Sequence, residues 1–138
     1  MYNEELLIDY IKVHSSFTNV DLVEENTIDM NSIPSSSLPI ISIGHVGVII
    51  PNKINAPANG YDEIDNPQQL ITQVLLLCER SNAASTFLAL QNSIKGFTPF
   101  VNDGAYGNLT FLEAAVIAKT GKRIRWSLHY GLQFPRIS

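Results

Sequence analysis

Apolar and polar positions alternate with two different periods along this chain. Leu6, Leu7, Tyr10, Ile11 and His14 fall at the spacing of one helical face. Asn3 stands where a helix cap is needed, and Glu4 and Glu5 place negative charge at the positive end of the helix dipole. Ser15 and Ser16 break the pattern, and His14 reads as a core-edge residue rather than a ligand.

The next segments favour strands. Val20 and Leu22 alternate with Asp21, and Ile28 and Met30 with Asp29, around a turn at Glu24-Glu25-Asn26. Residues 20–30 therefore read as a weak strand or hairpin, and Ser32 to Ser37 as a loop. Leu38 to Ile50 is a strong strand with apolar residues on both faces, which places it inside a sheet. Gly44 and Gly47 flank His45 and Val46 and predict a bulge or a close backbone approach. These glycines are no phosphate loop, since no Lys-Ser/Thr pair and no helix follow them. Leu70 to Arg80 is a second central strand, with Val74, Leu75, Leu76, Leu77 and Cys78 in succession.

Ser81 or Asn82 then caps a helix whose core face is Ala84, Phe87, Leu88 and Ile94. Gly96 is expected to stop it in the left-handed conformation, with Phe97 packing back. Phe111 to Lys119 suits a short helix or a strand. From Ile124 to Phe134 every second residue is apolar, the signature of a half-buried strand with Arg125, Ser127, His129, Gly131 and Gln133 facing outward. Thr120-Gly121 can turn a hairpin into that strand, which favours strand for residues 114–118. Pro135 ends it. These elements predict one α/β (α+β) domain over residues 1–138, a mixed, mostly antiparallel sheet with two or three helices packed against it.

Composition narrows the function. Charged residues are 16% of the chain, against about 25% in an average soluble domain, while hydrophobic residues are 45%. The surplus of neutral surface suits contact with other proteins. A net charge of −4 argues against specific nucleic-acid binding, which needs clustered cations. Five of the nine basic residues, Lys119, Lys122, Arg123, Arg125 and Arg136, fall in the last twenty positions, and the acids concentrate before residue 66. That asymmetry suits head-to-tail contacts between copies. Cys78 is the single cysteine, so no internal disulfide forms and an intracellular setting is expected. No run of 18 apolar residues occurs and the N-terminus opens with acids, so neither a membrane span nor secretion is expected.

Catalytic patterns are sparse. His14, His45 and His129 match no metal-ligand spacing, and no Gly-x-Ser-x-Gly elbow occurs. Asp62, Glu63 and Asp65 do not fit a calcium loop. Glu79-Arg80, at the end of a central strand, reads as strand-end solvation before it reads as an acid with its orienting partner. No enzyme activity, cofactor or metal is therefore expected.

Three stretches carry a resemblance. Gln73-Val74-Leu75-Leu76-Leu77-Cys78 resembles the Gln-x-Val-x-Val strand of small phage tail proteins. A helix from Ala83 to Ile94 follows and ends in Ile94-Lys95-Gly96-Phe97, similar to their Leu/Ile-x-Gly-Phe turn. Gly121 to Leu132 is similar to a closing strand of the form Gly-x-x-x-x-Trp-x-Leu-x-Tyr-x-Leu. Over residues 68–134 the chain resembles the phage tail-terminator (tail-completion, minor tail protein) family. The resemblance implies a structural virion subunit, assembled in the host cytoplasm, that forms a hexameric ring. Such a ring caps the tail tube, meets the sheath where the tail contracts, and joins the tail to the head connector. The family has no catalytic residues to carry over.

Residues 51–69 and 97–108 are the longest stretches without apolar periodicity and are expected to make the partner contacts. Tyr61, Phe100 and Tyr106 are their aromatic anchors, with Lys122, Arg123 and Arg125 as the basic part of the interface. The alternatives are another neck or tail-tube-associated ring subunit, an adaptor of a secretion or contractile-injection machine, or a small metabolite-binding domain or enzyme with residues 51–69 as lid.

Overall fold

A computed structural model describes residues 3–23, 30–49, 69–99 and 108–133. Helix α1 spans Glu4–His14, and the Asn3 side chain accepts a hydrogen bond from the Glu5 amide at 3.0 Å, as an N-cap should. Its buried residues are Leu7, Ile8 and Ile11, while Leu6 is 48% exposed. The helix is therefore rolled from the face that Leu6 and His14 predict, because it must contact the strands of residues 20–22 and 40–49 on one side and the helix of residues 83–94 on the other. Ser15 ends it by donating to the Ile11 carbonyl and accepting from the Phe17 amide.

Strand β1 (Val20–Leu22) lies parallel to β2 (Ile40–Ile49), Val20 against Ile41. Met30, expected in a strand, lies in a turn and is buried; the proposed return at residues 24–29 falls outside the described residues. A 3-10 turn at Ser35–Ser37 and a cis Leu38–Pro39 bond lead into β2. The glycine pair of β2 does both things its spacing suggests. The register with β3 (Gln69–Glu79) shifts between His45 and Gly47, a bulge. A Cβ on Gly44 would stand 3.2 Å from the Val23 side chain, so the chain approaches closely there.

β3 is the central strand, antiparallel to β2 on one side and to β5 (Arg123–Gln133) on the other. Leu70, Ile71, Thr72 and Val74 through Cys78 are all buried, which explains the unbroken apolar run. A 3-10 turn at Arg80–Asn82 leads to α2 (Ala83–Ile94). Asn82 holds the cap position without a side-chain cap bond. The core-facing residues are Leu90, Ser93 and Ile94, with Ala83 and Phe87 packed beside them, while Leu88 is 61% exposed and Ala84 is exposed. The face thus runs 83, 87, 90, 94 and replaces the predicted 84 and 88.

Gly96 has φ +87°, as expected, but inside a different turn. Lys95 is at φ −54° and ψ 129°, and the Phe97 amide donates to the Ile94 carbonyl at 3.0 Å, the pattern of a type II turn. Phe97 packs back onto the core and meets Tyr10 edge to face at 5.2 Å.

Residues 111–119 are strand throughout: β4 spans Thr110–Lys119 and returns antiparallel to β5 around Thr120–Lys122. Thr120 Oγ1 accepts from the Arg123 amide at 3.1 Å and holds that turn. The five-stranded sheet has the order β1-β2-β3-β5-β4. Directly paired residues share a face, so Ile41, Leu76, Trp126 and Val116 form one row and Ile43, Val74, Leu128 and Ala114 the next. Both helices pack on these rows, which makes the fold α+β with one helix-covered sheet face.

Candidate protein interface

The C-terminal basic residues gather at one end of the sheet. β3 carries its chain from Thr72 to Glu79, next to Arg80, over seven residues, about 23 Å at the rise of a strand. At the Arg80 end lies the β4–β5 turn: the Arg80 amide donates to the Lys122 carbonyl at 2.8 Å, and its guanidinium donates to the Thr120 carbonyl at 2.9 Å. Lys119 and Lys122 are exposed there. At the Thr72 end, His45 Nε2 lies 3.5 Å from Glu4 Oε1, which fixes the acidic first turn of α1 beside the start of β3. Arg80, Lys119 and Lys122 therefore stand at the end of the central strand opposite Glu4 and Glu5, while Glu79 at the cationic end faces the Arg123 guanidinium.

The six expected interface residues are placed unevenly. Lys122 is exposed on the turn. Arg125 is half-buried opposite Leu77, where it lines a depression of about 180 Å³ with Asp21, Ile40 and Ser42. Arg123, expected outside, is turned in and only 8% exposed. Its guanidinium donates to the Met30 carbonyl and to Ser35 Oγ, with Glu79 Oε1 at 3.9 Å. A buried guanidinium needs such partners, so Arg123 ties residues 30–35 to the sheet. Glu79 and Arg80 accordingly engage Arg123 and the turn rather than each other. Tyr61, Phe100 and Tyr106, and all of the stretch 51–69 offered as a lid except Gln69, which begins β3, lie outside the described residues.

Sequence spacing missed two histidine pairs, because each joins residues far apart in the chain. His45 Nδ1 stands 3.4 Å from Thr72 Oγ1 while its other nitrogen faces Glu4. The order hydroxyl, imidazole, carboxylate is that of an activated nucleophile, but Thr72 is 0% exposed and offers its oxygen to no substrate. His129 lies 3.0 Å from Glu113 across β5 and β4, on the sheet face away from the helices. Among the described residues no three His, Cys, Asp or Glu side chains gather as metal ligands. Cys78 is buried, and burial together with the Glu79 charge pushes its thiol from 9.0 up to about 11. It is protonated at neutral pH and a poor nucleophile. Burial likewise raises the Tyr130 phenol, which hydrogen-bonds the Gln91 side chain.

An exposed apolar margin was also missed. On β4, Phe111 is 39% exposed, Leu112 38%, Val116 45% and Ile117 51%. The helix-or-strand ambiguity of this segment hid it: only as an edge strand do these four side chains lie at a margin of the fold. Among the described residues no helix is long and apolar enough to cross a membrane. Compared with models of known protein families and with curated proteins, the chain matches none.

Proposed function

We propose that this chain is a structural subunit of a phage tail that assembles head to tail into a ring, as the resemblance to tail terminators implies. The ring is hexameric, caps the tail tube, touches the sheath in a contractile tail and joins the tail to the head connector. The observation that carries this reading is the separation of charge along β3. Arg80, Lys119 and Lys122 stand at one end and the acidic first turn of α1 at the other. Such a subunit presents unlike surfaces, and contacts between unlike surfaces make a ring when the rotation from copy to copy closes. The three stretches that carry the resemblance support it further, because they fall on neighbouring elements: β3, α2 and its turn, and β5.

Electron microscopy of assembled particles tests the proposal. A ring of this chain at the head-proximal end of the tail tube is expected. Particles that lack this chain, or that carry it elsewhere, overturn the reading. Loss of the gene product should leave tails that fail to join heads.

A further inference from the structure

β4 is the last strand on its side of the sheet. It pairs with β5, and among the described residues no strand pairs with its other edge. An edge strand leaves a row of backbone N–H and C=O groups without strand partners, a ready template for another strand. Folds usually guard long edges with charges, prolines or bulges. β4 has two bulges, between Phe111 and Glu113 and between Val116 and Ala118, and two charges, Glu113 and Lys119. The stretch between these guards, Ala114 to Ile117, is uncharged, and half of each Val116 and Ile117 side chain is open.

We propose that the free edge of β4 pairs antiparallel with β4 of a second copy of this chain, about a two-fold axis at Ala115. The pairing within each copy fixes which way each side chain points. Phe111, Ala114, Val116 and Lys119 share the helix-covered face, because their partners on β5 are Tyr130, Leu128, Trp126 and Ile124. Ala115, opposite Ser127, points to the other face. An antiparallel register centred on Ala115 sets Ala114 against Val116 of the second copy, Phe111 against its Lys119, and Ala115 against Ala115. Every one of these pairs matches in face. A slip of one residue would set Ala115 against Val116, side chains on opposite faces, and break the match.

The chemistry of the pairs agrees with the geometry. Phe111, held by Phe87 at 6.2 Å and Tyr130 at 5.5 Å, offers a fixed ring to the ammonium of Lys119 across the axis. The Glu113 end of each strand lies toward the Lys119 end of the other. Parallel pairing would instead set like charge beside like. The exposed Leu112 and Ile117, which stand at the two bulges, add apolar area from both copies. The product is a ten-stranded continuous sheet. This contact is two-fold and closes on two copies, so it is separate from the head-to-tail contacts of a ring.

Sedimentation equilibrium of the purified chain should give a dimer. Ala115→Cys, under mild oxidation, should form a disulfide-linked dimer through residue 115, identified by mass spectrometry. Cys78 is buried and stays out of the reaction. Val116→Lys with Ile117→Lys should raise the dissociation constant at least about tenfold with the circular dichroism unchanged, since both side chains are exposed. A monomer at every concentration overturns the proposal. So does an oligomer that Ala115→Cys fails to link or that the lysine variant leaves intact. A hexamer without the link overturns this pairing and leaves the ring reading standing.

Discussion

The buried Arg123 guanidinium donates to the carbonyl of buried Met30 and to Ser35 Oγ, beside the half-buried Glu79. Arg123→Ala leaves that carbonyl without its charged donor, and hydrogen bonds to charged groups are worth about 1.5–3 kcal/mol each. Urea unfolding of Arg123→Ala should show a loss of about 2 kcal/mol or more. The exposed neighbour Lys122→Ala should stay within about 0.5 kcal/mol of wild type. Strand alternation foretold Arg125 and His129 on the outer face, but it could not foretell the inward turn of Arg123, because the atoms that receive it belong to residues some ninety positions earlier. Trp126 is a second residue with an unequal account: its indole N–H is buried with no acceptor among the described residues. Trp126→Phe removes that orphan donor and keeps most of the ring, whereas Trp126→Ala loses the contact with Phe87 at 5.2 Å. Thermal melts should place the Phe variant close to wild type and the Ala variant about 3 kcal/mol or more below it. Cys78 gives a pH dependence. Its thiol is protonated in both states below pH 9.0, and between there and about 11 the folded state holds the proton more tightly. Stability from this group is therefore complete below pH 9 and falls as pH rises through that window. Cys78→Ala should flatten that part of a stability–pH curve, and an unchanged slope would refute the assignment.

Elements were legible where local chemistry decides them. Asn3 caps α1, the apolar run makes β3 central, and Gly96 takes a positive φ; each follows from residues within one turn or one strand. What the sequence left ambiguous was rotation. Leu6 and Ile8 are equally apolar, and only the neighbours of α1 select Ile8 for burial. The same holds for Ala83 over Ala84 in α2. β4 was ambiguous because its residues satisfy both periods, and pairing with β5 settles it. The turn after α2 offers a test at this scale. Gly96→Ala forces φ +87° on an L-residue and brings its Cβ within 3.3 Å of the Tyr10 hydroxyl. Denaturant midpoints should report a loss of about 1–2 kcal/mol, and a neutral result would mean the turn relaxes at no cost.

For the molecule as a whole, the separation of charge along β3 was legible in outline from the crowding of basic residues after position 118, though not that Arg123 is withdrawn from it. The exposed margin of β4 was not legible, since exposure at an edge depends on strand order, and β5 takes the place beside β3 although β4 precedes it in the chain. The ring reading predicts that partner contacts fall on the long aperiodic stretches. Deleting residues 55–65 should therefore reduce the yield of tails joined to heads. Wild-type yield with tails of normal length would remove that stretch from the interface.

The strand order also has a consequence in time. β3 finds one neighbour in β2, already made, but the other, β5, begins 44 positions after Glu79. At about 5–20 residues per second, a ribosome leaves the Val74–Cys78 side of β3 without that neighbour for roughly 2–9 seconds. During that interval its uncharged, strand-forming run is open to mispairing with other nascent chains. Slow codons between Asn82 and Leu109 would lengthen the exposure, so synthesis speed through that stretch should control how much of the product is recovered folded.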